Sequence, residues 1–151
     1  KFFALPGIRI GYGLGSRKLI EKLHSVQVPW SCNRLAQKLG TVALRDREFA
    51  ERSRAWLIDE KENFYLSLRE IPWLKVFPSA ANFILVRFGG QSAGVDLIEE
   101  MAKTGMYVRE LREFPGLGPF YFRVNVRKRE ENLKLVEFLK SKKVELAVSS
   151  L

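Results

Sequence analysis

Residues 120 to 127, Phe-Tyr-Phe-Arg-Val-Asn-Val-Arg, alternate strictly between two sets of side chains. Phe120, Phe122, Val124 and Val126 fall on one face of an extended chain. Tyr121, Arg123, Asn125 and Arg127 fall on the other. That period of two predicts a strand buried on one side. A helix is expected directly after it, from about Arg129 to Lys142, with Leu133, Val136 and Leu139 inward. The strand thus needs a sheet to sit in and a helix to cover it. Helices and strands alternate before it as well, which reads as a small α/β domain.

Upstream, Met106-Tyr107-Val108-Arg109 begins a strand, and Arg112 to Pro119 is a loop containing Phe114-Pro115-Gly116-Leu117-Gly118. Ser92 to Thr104 reads as a helix with Val95, Ile98, Met101 and Ala102 inward and Gly105 at its C-cap. Gly89-Gly90 turns the chain before it. Residues 76 to 88 hold two strand candidates around a bend. A long helix is expected from about Arg47 to Glu70, capped by Asp46 and ended by Pro72. Its buried side is marked by Phe49, Trp56, Leu57, Phe64, Leu68 and Ile71. A shorter helix starts at Ser31 or Asn33, with Leu35, Leu39 and Val42 on one face. Ser16 N-caps an earlier one, striped by Leu19, Ile20, Leu23 and Val26. Ile8 to Leu14 alternates as a short strand.

The chain has 151 residues, of which 46% are hydrophobic, enough for an ordinary globular domain with a real core. No apolar run is long enough to span a membrane, and no signal-peptide pattern opens the chain. A single cysteine, Cys32, excludes an internal disulfide framework and makes cytoplasm the default compartment. The net charge is +9, from 26 Lys and Arg against 17 Asp and Glu. Such a charge suits nucleic acid or an anionic substrate. The basic residues are spread along the chain, often beside an acid at helical spacing, and neither an RNA-binding aromatic signature nor zinc-finger spacing is present. Nucleic acid is therefore not expected as a partner. A basic, non-catalytic polyanion-binding module remains the competing reading from a different functional class.

The chemistry-bearing stretch is Lys1-Phe2-Phe3-Ala4-Leu5-Pro6-Gly7-Ile8-Arg9-Ile10-Gly11-Tyr12. A lysine amine can bond covalently to an aldehyde cofactor, and an arginine can hold that cofactor's phosphate. Lys and Arg at this spacing alone equally describe a surface lysine before a hydrophobic strand. Gly11, Gly13 and Gly15 follow as G-x-G-x-G, which does not match the dinucleotide-binding G-x-G-x-x-G. The one histidine, His24, sits in a helix outside any motif and is assigned no role.

The wording of residues 1 to 12 resembles the lysine segment of fold type I pyridoxal-phosphate enzymes, the class I/II aminotransferases. It is most similar to the branch holding histidinol-phosphate aminotransferase and threonine-phosphate decarboxylase. Residues 123 to 132, Arg-Val-Asn-Val-Arg-Lys-Arg-Glu-Glu-Asn, resemble a second signature of the same family. The resemblance implies pyridoxal 5'-phosphate as cofactor, with Lys1 as its catalytic, covalently bonded lysine and Arg9 on its phosphate. It implies that Arg123 grips the substrate α-carboxylate, a task suited to the parallel N–H pair of a guanidinium. Arg109, in a Val-Arg-Glu setting, is implied to face a substrate phosphate or carboxylate. Asn82, in an Asn-Phe pair like the family's, either reaches the active site or ties its loop by side-chain hydrogen bonds. Trp30, Ser31 and Asn33 lie in a linker near the active-site mouth in the family. Read from residue type alone, Arg123 is equally a structural ion-pair arginine.

The fold expected from the resemblance is α/β: the end of a large pyridoxal-phosphate-dependent transferase domain, followed by a small C-terminal α/β domain. Residues 1–45 would close the large domain, 46–71 would form the connecting helix, and 72–151 the small domain. The chain then reads as the C-terminal part of a longer enzyme, partnered by that enzyme's N-terminal part and by a second copy in a homodimer. The implied activity is that of a transferase or a lyase. It acts on a phosphorylated amino acid or amino alcohol, by transamination or decarboxylation, or on amino acids as another class I/II aminotransferase. Lysine and cofactor are common to all of these, so the motifs leave the choice open.

Overall fold

A computed structural model describes residues 2–89 and 93–142, without the side chains of 93–96. The chain divides into two compact units, Lys1–Arg52 and Ser53–Leu151. The division falls inside one long helix.

The first unit holds two helices, α1 (Arg17–Val26) and α2 (Arg34–Arg45), and the start of α3 (Arg47–Arg69). Each begins on a short polar side chain that satisfies an otherwise orphaned backbone N–H. Ser16 Oγ accepts from Leu19 N at 3.4 Å, Asn33 Oδ1 from Ala36 N at 2.8 Å and Asp46 Oδ1 from Phe49 N at 2.9 Å. Phe3 stacks on Phe49 with ring centroids 5.7 Å apart. The strand expected over Ile8 to Leu14 is not formed. Pro6–Ile8 make a 3-10 turn, and residues 9 to 15 take no regular element. A strand needs a neighbour for its N–H and C=O groups. Among the described residues, none in the sheet comes from this unit.

The second unit is built on a sheet of β1 (Leu74–Val76), β2 (Phe83–Phe88), β3 (Arg109–Glu110) and β4 (Tyr121–Asn125), in the order β1-β2-β4-β3. Every neighbouring pair is antiparallel. β4 lies between β2 and β3, so those two run parallel to each other and are joined through α4 (Ala93–Lys103). This is a split βαβ arrangement. After β4 comes α5 (Arg129–Ser141). The expected alternation holds on β4: Phe122 and Val124 are buried, followed by Val126, while Tyr121 and Arg123 are only half-buried. The core joins Ile84, Val86 and Phe88 of β2 to Phe64 and Leu68 of α3, Met101 of α4 and Leu139 of α5. Phe88 and Phe122 stack across the strands at 4.6 Å, and each buried ring of this kind contributes roughly 1.5–3 kcal/mol of hydrophobic stabilisation.

Three expected positions differ. Trp56 is 46% exposed rather than buried, because it lies at the rim of the α3 stripe that Leu57, Phe64 and Leu68 centre. Leu133 is also exposed, and Asn132 takes the inward position on α5 in its place. The strand expected from Met106 shortens to Arg109–Glu110. Gly105 adopts the left-handed φ of +80° that a helix C-cap requires. Gly90, Ser92 and the Val95 side chain lie outside the described residues.

Candidate active site

β2 and β4 bury their even-numbered side chains and present the odd-numbered ones to the opposite face. On that second face Leu85, Arg123 and Arg109 stand directly opposite one another across β2, β4 and β3. Phe77 extends the row toward β1, its N–H donating to Leu85 O at 3.0 Å. The two arginines predicted to bind substrate are thus brought together by register, although fourteen positions separate them in sequence.

Arg123 is half-buried, and its guanidinium carbon lies 4.5 Å above the centre of the Phe83 ring. The ring holds one side of the guanidinium plane by cation–π attraction. Its Nε is buried and, among the described residues, has no hydrogen-bond partner. A buried donor left in this state costs about 1–3 kcal/mol. Arg109 is exposed. Among the described residues neither arginine has a carboxylate within ion-pair distance. Like charges directly opposite in a sheet also repel. The pair therefore lacks the acceptor that a structural ion pair would supply, and its donor chemistry suits an added carboxylate or phosphate.

Asn82 is exposed and lies just before β2, at the end of the sheet where Phe83 faces Asn125. Its carbonyl accepts from Val126 N at 3.0 Å. The loop before it is tied by Ser79 Oγ, which accepts from Ala81 N at 3.1 Å.

In the first unit, Arg9 is exposed and left-handed at φ 53°, ψ 55°. A non-glycine residue there carries about 1–2 kcal/mol of strain. Among the described residues its Nη1 donates one long, 3.5 Å bond to Pro6 O, so the guanidinium retains donors that suit a phosphate. Lys1 lies outside the described residues. Asn33 spends its side chain on capping α2. Trp30 is 97% exposed at φ 63°.

Sequence reasoning missed a buried polar cluster behind β4. Asn132 and Glu60 are 4% and 5% exposed, and Asn132 Nδ2 donates to Glu60 Oε1 at 2.8 Å. The available signal was a polar residue at an inward position of each helix. Beside it, Glu131 accepts from Arg127 Nε at 2.7 Å, and this hydrogen bond holds its carboxyl below the usual range.

The family model for aminotransferase class I and II matches residues 1–139. A relative from Caldanaerobacter subterraneus subsp. tengcongensis, named provisionally as a threonine-phosphate decarboxylase, is 40% identical over 141 residues, 93% of this chain and 38% of its own length. The histidinol-phosphate aminotransferase of Methanothermobacter thermautotrophicus is 38% identical over 141 residues, 92% of this chain and 38% of its own length. Among solved structures, the histidinol-phosphate aminotransferase from Clostridium acetobutylicum superposes with a TM-score of 0.87 at 32% identity, covering 93% of this chain and 42% of that one. The chain therefore spans about two fifths of the length of the proteins it matches.

Proposed function

The chain belongs to the class I and II aminotransferase family, and on that premise we propose that it forms the substrate-gripping share of a pyridoxal-phosphate enzyme acting on a phosphorylated amino acid or amino alcohol. The observation that carries this reading is the Arg109–Arg123 pair, with Arg123 Nε buried and unpartnered among the described residues. Relatives named for threonine-phosphate decarboxylase and for histidinol-phosphate aminotransferase support it equally. Residues 1–45 are proposed as the end of the large domain, 46–71 as the connecting helix and 72–151 as the small C-terminal domain, in a cytoplasmic homodimer. No helix among the described residues is long and apolar enough to cross a membrane.

The bound cofactor supplies an electron sink for the bond broken at the substrate Cα. Lys1 Nζ would hold the cofactor's aldehyde carbon and, when free, could move protons at the substrate Cα. Arg9 would neutralise the cofactor phosphate. Arg123 takes the substrate α-carboxylate with two parallel N–H groups, while its Phe83 platform limits how far the guanidinium can tilt. Arg109 takes the second anionic end, and Asn82 borders the same site. Orientation then selects the reaction. The hold of Arg123 and Arg109 on the substrate's anionic ends would decide whether the Cα–H bond, for transamination, or the Cα–carboxylate bond, for decarboxylation, is the one broken.

A product assay on the complete enzyme with pyridoxal phosphate tests this. Carbon dioxide from threonine phosphate alone establishes the decarboxylase. Glutamate formed from histidinol phosphate plus 2-oxoglutarate establishes the aminotransferase. Failure of both, with cofactor bound, discards both substrates. Failure to bind cofactor, with salt-sensitive binding of polyanions, returns the non-catalytic module.

A further inference from the structure

Asn132 makes an unusual set of bonds for a helical side chain. Its Oδ1 accepts from Arg127 N at 3.0 Å, and its Nδ2 donates to Arg127 O at 2.8 Å and to Glu60 Oε1 at 2.8 Å. One side-chain amide thus satisfies both backbone groups of Arg127, as a neighbouring strand would. Arg127 follows β4 by two positions. Val126, between them, is tied to Asn82 O. The exit of β4 is therefore pinned from α5 through Asn132 and from the start of β2 through Asn82. Glu60 carries the pin across to α3, with Arg129 Nη1 3.6 Å from its other oxygen.

Burying Glu60 is costly, since a well-packed apolar residue serves stability as well or better at such a site. What the polar pair adds is direction: hydrogen bonds fix the strand end at one height and one twist, where apolar packing tolerates sliding. Arg127 lies four positions after Arg123, two beyond the end of β4.

We propose that Asn132 and Glu60 are positioning residues for Arg123: they lock the exit of β4 to α3 and α5, and so set the guanidinium where a substrate carboxylate meets it. The inference rests on Arg123 being the carboxylate anchor. Neither residue touches substrate. Their loss costs carboxylate recognition specifically, leaving contacts to the substrate's phosphate in place.

The test uses the complete enzyme with pyridoxal phosphate and two probes: threonine phosphate, and the same molecule lacking its carboxylate. Dissociation constants come from the cofactor absorbance. Asn132→Ala and Glu60→Leu are expected to weaken the first probe by roughly tenfold and the second by less than about twofold. Glu60→Gln keeps the acceptor for Asn132 and should restore near-native binding of both. Equal weakening of both probes, or of neither, overturns the proposal. If Asn132→Ala does not fold, Asn132→Gln, which keeps the amide but displaces it, carries the comparison. Arg123→Ala separates the anchor role from the positioning role. If it abolishes the preference for the carboxylate, the results for Asn132 and Glu60 judge the positioning role alone; if the preference survives, the anchor reading falls and the positioning role with it.

Discussion

Arg109 and Arg123 are Cα partners across the β3–β4 pair, on the face of the sheet turned away from the buried core. Two guanidinium groups so placed repel, and among the described residues no carboxylate pairs with either. Arg109→Ala should therefore act in two directions. Stability should hold or rise, by about 0.2–1 kcal/mol as the repulsion is relieved. Affinity for a doubly anionic substrate should fall. Thermal unfolding and substrate saturation of the complete enzyme check the two together.

Lys1 is expected to carry the cofactor covalently. Borohydride treatment of the complete enzyme, followed by peptide mass spectrometry, should place the reduced cofactor on the peptide that contains Lys1. Lys1→Ala should remove that adduct and the activity together. An adduct on another lysine would remove Lys1 from its role.

Phe122 is fully buried and stacks on Phe88 at 4.6 Å. Phe122→Ala removes a ring from the centre of the second unit and leaves a cavity. Destabilisation of about 3–5 kcal/mol is expected, read as a fall in the denaturant midpoint of the complete enzyme.

Glu131 titrates below the usual carboxylate value of 4.5, first because Arg127 hydrogen-bonds it, against a smaller opposing effect of desolvation. A lowered folded-state pKa contributes stability that is present above the unfolded value and is lost as pH falls through the folded one. The effect is small at an exposed site. Arg127→Gln should thus cost stability near neutrality and lose that difference below pH 4.5. Acid unfolding curves of the two proteins check the sign.

Much of this fold was legible because period-two alternation and caps are local. The β4 alternation, the Asp46 and Ser16 caps and the Gly105 C-cap each follow from a few neighbouring residues. The failures came where the outcome depends on a partner distant in sequence. Ile8 to Leu14 alternates as a strand does, yet no strand among the described residues runs beside it. Leu133 is the more apolar residue, but Asn132 turns inward because Glu60, 72 positions earlier, accepts its amide hydrogen.

The candidate site divides the same way. Residue type and wording single out Arg109 and Arg123, but their juxtaposition appears only once register is known. The Phe83 platform and the unpartnered Nε are equally beyond sequence, since both depend on where a side chain lies in three dimensions.

The most direct measurement is saturation of the complete Arg123→Ala enzyme with threonine phosphate, or with glutamate if the enzyme proves to be a transaminase, monitored alongside the cofactor's absorbance. With Arg123 as the carboxylate anchor, the cofactor spectrum is retained and half-saturation rises by roughly ten- to a hundredfold, the equivalent of losing a charge-assisted hydrogen-bonded pair. Half-saturation equal to that of the unaltered enzyme, with the cofactor still bound, would contradict the account.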